Sequence, residues 1–228
     1  MRLVKNTLSC IAFFTLTIIG LKYFIRPYHL THNFIHSAKY QEKVDELLLK
    51  EISDSTILFM GNSLTKSYDI SIFQSDAVNW SISGDVLDGL SWRLSGLNEV
   101  TPMKVILNLG INDIIHGFGF KIEKMSKFIQ EFKTYSPDTQ ILVMSLSPEC
   151  LESGLFTSPK KISLEIINAN REIEEMCSQL EVCYVDVYSA LQENGKLRPG
   201  FTADGLHLNQ AGYKVWTESL TKAFNQAL

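Results

Sequence analysis

The sequence predicts an α/β fold with a mostly parallel sheet, and three observations carry the prediction. Short apolar runs recur along the chain, stretches of helical periodicity separate them, and turn residues follow the runs. Strands that alternate with helices need crossover connections, which are right-handed and cover both faces of the sheet.

Taken in order, the chain begins with an uncharged, mostly apolar run of 16 residues from Asn6 to Leu21, preceded by Arg2 and Lys5. If Lys22 snorkels, the stretch runs on through Tyr23, Phe24 and Ile25, close to the roughly 20 residues that a membrane helix needs. No small-x-small cleavage site follows it, which favours an uncleaved signal anchor over a removed signal peptide. Residues 1–26 are therefore expected to tether the chain to a membrane or to be cleaved in secretion, with the body outside the cytoplasm. Positive charge on both sides of the run leaves its orientation open. Residues 27–54 read as a linker and a lead-in helix whose apolar side is Leu47, Leu48 and Ile52, and residues 55–228 as the main domain.

Within that domain the apolar runs are Thr56–Met60, Ala77–Ile82, Lys104–Leu109, Gln140–Leu146 and Val182–Val187. Runs of this length bounded by turn signals read as buried strands. Ile122, Met125, Ile129 and Phe132 recur at helical spacing, as do Leu164, Ile167, Ile173, Met176 and Leu180. A last helix is predicted from near Asn209, carrying Tyr213, Trp216, Leu220 and Phe224.

Composition limits the function classes. Apolar residues make up 45% and charged residues 20% of the 228 positions, values of a globular protein. Four of the 21 basic side chains fall in the first 30 residues, which hold no acid. The rest has 17 basic against 25 acidic residues, a net of −8. An acidic body argues against nucleic acid as a partner, since phosphate binding depends on clustered Lys and Arg. Cys10 lies in the apolar segment, leaving Cys150, Cys177 and Cys183 in the body. None forms a Cys-x-x-Cys or Cys/His cluster, so no metal is expected. One disulfide among the three or buried free thiols both fit the sequence.

In an open α/β sheet, ligands bind outside the carboxyl ends of the strands. Three polar segments stand there: Gly61-Asn62-Ser63-Leu64-Thr65, Ser83-Gly84-Asp85 and Gly110-Ile111-Asn112-Asp113. A fourth, Asp204-Gly205-Leu206-His207, precedes the last helix. Taken singly, each has an ordinary structural use: Ser63 as a helix N-cap, Gly84 and Asn112 as turn residues, Asp204 as a cap and His207 as a packed histidine. Together they form a set. Ser63 needs a base to become a nucleophile, and His207 is the candidate. Asp204, three residues earlier, can fold back to fix the imidazole tautomer. Acyl transfer places negative charge on the former carbonyl oxygen, and the backbone N–H groups of Ser63 and Gly84 with the Asn112 amide could meet it.

These four segments resemble the blocks of the SGNH/GDSL hydrolase family, over roughly residues 55 to 226. Phe59–Thr65 is similar to the family's nucleophile block, Asn79–Asp85 to its glycine block, Gly110–Asp113 to its Gly-x-Asn-Asp block, and Thr202–Asn209 with Gly212-Tyr213 to its final block. The resemblance implies a flavodoxin-like three-layer α/β/α sandwich with a five-stranded parallel sheet. It also implies catalytic Ser63, Asp204 and His207, and an oxyanion hole of Ser63, Gly84 and Asn112. Two positions depart from the commonest pattern: Asn62 stands where Asp is usual, and Ser81 where glycine is frequent. The Asn62 form and the Gly-Ile-Asn-Asp block look most like the branch of platelet-activating-factor acetylhydrolase-like enzymes and carbohydrate or sialate O-acetylesterases.

The expected activity is a serine esterase on a small acyl group, acetyl in the leading reading, carried by a carbohydrate or glycan, with no cofactor. A lysophospholipase or thioesterase, a glycan O-acyltransferase and a non-catalytic glycan-binding protein are the alternatives. The segment from Ser147 to Lys160 reads either as a border of the acyl site or as a plain surface loop. The sequence has no Gly-x-Ser-x-Gly elbow, P-loop or dinucleotide fingerprint.

Overall fold

A computed structural model describes residues 33–73, 76–97, 101–151 and 158–226 of the chain. The expected membrane or signal segment lies outside the described residues. Among the described residues no helix is long and apolar enough to cross a membrane.

Five strands form one parallel sheet: β1 (Ile57–Gly61), β2 (Ala77–Asn79), β3 (Lys104–Asn108), β4 (Gln140–Met144) and β5 (Cys183–Val185). Their order is β2-β1-β3-β4-β5, all neighbours parallel, the flavodoxin-like arrangement that the resemblance implied. Side chains alternate between the two faces and feed two separate cores. Leu58, Met60, Val105, Leu107, Ile141 and Val143 enter one. Ile57, Phe59, Ile106, Leu142 and Met144 enter the other.

The first core is covered by the lead-in helix α1 (Ala38–Leu48), by α5 (Ile122–Tyr135) and by α6 (Pro159–Gln179). The second is covered by α8 (Gln210–Gln226), which brings Trp216, Leu220 and Ala223 onto the sheet. Short helices fill the strand ends: α2 (Ser63–Lys66), α3 (Leu90–Leu94), α4 (Ile111–Ile115) and α7 (Tyr188–Leu191). Full burial of a large apolar side chain such as Trp216, 1% exposed, is worth about 1.5–3 kcal/mol.

The sequence placed the elements correctly and several of their faces or ends wrongly. In α1 the buried residues are Tyr40, Val44 and Leu47, one stripe at helical spacing, whereas Leu48 is 37% exposed and Ile52 lies beyond the helix. In α6 the buried stripe is Ile162, Ile166, Ala169, Ile173 and Met176. Leu164 and Ile167, expected to face inward, are exposed because they lie off that stripe. The strands also stop sooner than the apolar runs. β4 ends at Met144 because the Asn170 side chain takes over the backbone of Leu146, accepting from its N–H at 2.7 Å and donating to its carbonyl at 3.0 Å. β2 ends at Asn79, although Trp80 and Ile82 still donate to Phe59 and Gly61 of β1 at 2.7 and 3.1 Å. The Trp80 carbonyl is taken by Arg93 at 2.7 Å. Cys150, Cys177 and Cys183 are free thiols, so of the two cysteine readings the disulfide is not formed.

Candidate active site

Ser63 occupies the turn between β1 and α2, and its neighbours dictate that turn. A Cβ on Gly61 would stand 2.9 Å from the Asn108 carbonyl oxygen of β3 and collide with the Thr65 side chain, so only glycine fits there. Asn62, fully buried, accepts the Leu64 N–H on its Oδ1 at 2.9 Å and caps α2. The capping use considered for Ser63 therefore falls to Asn62. Ser63 becomes the first helical residue with its hydroxyl free to point elsewhere.

That hydroxyl meets His207: Ser63 Oγ lies 3.0 Å from Nε2. The other ring nitrogen, Nδ1, lies 2.6 Å from Asp204 Oδ2. With Nδ1–H donating to the carboxylate, Nε2 is left as the acceptor for the serine proton. Asp204 folds back as its spacing suggested, because Oδ1 also accepts the backbone N–H groups of Leu206 and His207 at 3.0 and 2.8 Å. Burial pushes its carboxyl upward. The hydrogen bonds from the His207 ring and from these two backbone groups outweigh that and hold it well below the usual carboxylate range. Gly205 makes the tight loop possible with φ +86°, and its carbonyl accepts the Cys150 N–H at 2.8 Å, fastening the loop to the segment after β4.

β2 and β3 both pair with β1, so the loops that follow them flank the Ser63 turn on either side. Gly84 follows β2 with φ +81°, a conformation that L side chains rarely adopt. Asn112 lies in the first turn of α4, and its Nδ2 donates to the Asp85 carbonyl at 2.8 Å. One amide hydrogen is thereby used to orient the side chain and the second remains. The structure thus brings all five sequence-predicted residues to the carboxyl edge of the sheet, where the strand order switches direction.

The sequence reading missed what supports these loops. Asp85 forms a wholly buried ion pair with Arg93, both 0% exposed. Asp85 Oδ1 also accepts the Tyr40 hydroxyl at 3.0 Å and the Val86 N–H at 2.9 Å. Beside it, Asp113 accepts the Leu87 N–H at 3.1 Å. Burial pushes the Asp113 carboxyl up to about 8, the Leu87 donor opposes this, and Asp88 and Asp85 add to it. The signals were visible only as single residues: Asp85 and Asp113 next to quoted motif positions, and a lone arginine in an apolar helix. Among the described residues no group of three or more His, Cys, Asp or Glu is placed to hold a metal ion.

Comparison with known proteins gives this geometry a family. Residues 59–215 match the GDSL-like lipase/acylhydrolase family. The GDSL esterase/lipase WDL1 of Oryza sativa subsp. japonica is 26% identical over 147 residues, 57% of this chain and 56% of that protein. An N-acylneuraminate cytidylyltransferase of Streptococcus agalactiae is 24% identical over 171 residues, 75% of this chain and 38% of that protein. The chain thus spans about half, or less, of these curated relatives. Among solved structures, a GDSL-like lipase from Bacteroides thetaiotaomicron superposes with TM-score 0.65 at 21% identity, covering 84% of this chain and 99% of its own. A catalytic mutant of the acetylxylan esterase Axe2 from Geobacillus stearothermophilus gives 0.59 at 16% identity, covering 77% and 96%. At these identities the structural likeness speaks for the fold, while the family match covers well over half of the sequence and takes in Ser63, Gly84, Asn112, Asp204 and His207. The chain belongs to the GDSL-like lipase/acylhydrolase family.

Proposed function

We propose that the chain is a serine esterase that removes a small acyl group, acetyl in the first instance, from a carbohydrate. The observation that carries the reading is the unbroken hydrogen-bond chain from Ser63 through His207 to Asp204, at 3.0 and 2.6 Å. Ser63 Oγ attacks the ester carbonyl while His207 Nε2 takes its proton. The negative charge that develops on the carbonyl oxygen is met by the N–H groups of Ser63 and Gly84 and by the Asn112 amide. Collapse of this intermediate expels the alcohol, which leaves with the proton from His207. Water then gives its proton to His207 and attacks the acyl-enzyme, and as the Oγ–acyl bond breaks to release the acid His207 returns the proton to Ser63 Oγ.

A candidate place for a sugar alcohol lies between the helix that begins at Ser63 and the one that follows His207 in the chain. A hollow of about 650 Å³ lies between the end of α2 and the start of α8, lined by Ser67, Tyr68, Asp69, Gln210, Tyr213 and Lys214 among others. It begins one helical turn from Ser63 and three residues after His207. Tyr68 is buried against Trp216, so the half-buried Tyr213 with its polar, charged rim is the part that suits a sugar ring, which offers an apolar face and peripheral hydroxyls. The acetylxylan esterase among the similar structures shows that this fold can serve such a substrate in another protein.

The test is hydrolysis of p-nitrophenyl esters from acetyl to palmitoyl, with Ser63→Ala alongside. Acetate is expected to be preferred, and the variant to lose about 10⁶-fold in kcat. A rate untouched by Ser63→Ala would remove the proposal. Preference for long chains would replace it with a lipid-directed reading.

A further inference from the structure

Phe34 lies 25 positions before the part of the chain that matches the family, yet it reaches the oxyanion loop. A Cβ placed on Gly84 would find two described atoms within 4 Å, both of the Phe34 ring: Cζ at 3.5 Å and Cε2 at 3.7 Å. The ring therefore stands where a side chain on Gly84 would touch it, beside the glycine whose N–H is the proposed oxyanion donor. It is not a loose side chain. The Phe34 carbonyl accepts the Ser37 hydroxyl at 2.7 Å and the Ser37 N–H at 3.2 Å, and Ser37 in turn caps α1. The ring packs edge-on against Tyr40, centroids 5.1 Å apart, and the Tyr40 hydroxyl is fixed to Asp85. Phe34 and Gly84 are thus held by one connected set of contacts.

The side of the site on which the ring stands decides what it would touch. His207 delivers a proton to the departing alcohol, so the alcohol must lie towards His207. Leu208, its neighbour in sequence, is buried in the core on the α8 side of the sheet. Phe34 packs against the opposite core, on the α1 side. The acyl group projects away from the leaving alcohol, and an apolar aromatic wall suits an alkyl chain better than a hydroxylated ring.

On the reading of Ser63 and Gly84 given above, we propose that Phe34 is a specificity-determining residue that closes the acyl side of the site beside Gly84 and restricts it to short acyl groups. Its place outside the family-matched segment makes this a property of the lead-in region, which different members need not share.

The experiment compares kcat/KM for p-nitrophenyl acetate, butyrate and hexanoate in the full chain and in Phe34→Ala and Phe34→Leu. Phe34→Leu serves as the conservative variant should Phe34→Ala unfold. Removing the wall is expected to shift the hexanoate-to-acetate ratio by about tenfold or more, the scale on which an apolar pocket discriminates chain length. Phe34→Leu is expected to fall between. A uniform loss across the three esters, or an unchanged ratio, would overturn the proposal and leave Phe34 a packing residue. Mass-detected labelling of Ser63 by methyl and octyl phosphonofluoridates separates the two levels of inference. Labelling that ignores Phe34 sinks this proposal alone, whereas neither labelling nor turnover would sink the reading of Ser63 and this proposal with it.

Discussion

The loop of Asp204 and His207 and the loop of Asp85 meet at the same end of the sheet, and they treat a carboxylate in opposite ways. Asp204 and His207 keep 54% and 46% of their side chains exposed, and the carboxyl is held low by three hydrogen bonds. Asp85 and its partner Arg93 are wholly buried, and burial pushes the Asp85 carboxyl upward against the pull of the guanidinium. The proton relay proposed for Asp204 and His207 has to exchange protons with substrate and solvent, so exposure suits it. A scaffold has to hold one geometry, and a buried pair that is also bonded to Tyr40, Val86 and Trp80 does that, with only the Arg93 Nε left without a partner among the described residues. The difference predicts that the two loops fail separately: damage to the first costs rate with little stability, and damage to the second costs stability first.

The largest expected effect comes from the exposed side. Asp204→Asn keeps an oxygen for the backbone N–H groups of Leu206 and His207 but presents an amide to Nδ1, which favours the wrong imidazole tautomer. In a comparable triad such a change lowers kcat by about 10⁴. Stability should change by less than about 1 kcal/mol, because a half-exposed pair contributes little to folding. Urea unfolding and esterase rates on the same sample check both halves. A large loss of stability would break the contrast. Next in size is the buried side. Arg93→Met strands the Asp85 carboxylate with neutral partners only, and leaving one member of a buried pair unmatched costs about 3–5 kcal/mol. Urea unfolding reads this directly, and a cost near zero would show that the pair is not what holds the loop.

How far the sequence disclosed these two regions follows from the range of the signals. The candidate triad and oxyanion positions were legible because each sits in a short polar segment that local reading can isolate, three of these segments at the ends of apolar runs and the fourth just before the last helix. The alternation of strands and helices was legible for the same reason. Faces and ends were not. Leu164 and Ile167 are as apolar as Ile162 and Ile166, and only packing on the sheet decides which stripe is covered. β4 stops where Asn170, 24 residues further on, captures Leu146. The Asp85 network joins residues 45 and 8 positions apart through Tyr40 and Arg93, with no local pattern to announce it. The lead-in helix was set apart from the main domain, yet Tyr40, Val44 and Leu47 are buried in its core. Long-range polar contacts of this kind leave no periodicity to read.

The smallest expected effect sharpens the comparison through a third carboxylate. Asp113 is buried beside the Asp85 network, and the groups facing it are Leu87 N–H, Asp88, Asp85 and Lys124. Its carboxyl titrates near 8 in the folded chain against an ordinary value of 3.8. Between those values the folded chain holds a proton that the unfolded chain has released. Raising the pH therefore favours unfolding, by about 1.4 kcal/mol per pH unit in the middle of that window. The contribution of Asp204 has the opposite sign and lies lower: its stabilisation is complete above its ordinary value of 3.8 and is lost as the pH falls below it. The two aspartates thus act in different pH ranges. Asp113→Asn keeps an acceptor for the Leu87 N–H while removing the proton exchange, so its urea-unfolding free energy should fall less steeply than that of the native sequence from about pH 5 to pH 7. Subtracting the two pH profiles reads Asp113 together with its coupling to Asp85. Parallel profiles would mean that Asp113 is ionised in the fold, with Lys124 and the Leu87 N–H sufficient to hold its charge, and the buried side of the comparison would then rest on Asp85 and Arg93 alone.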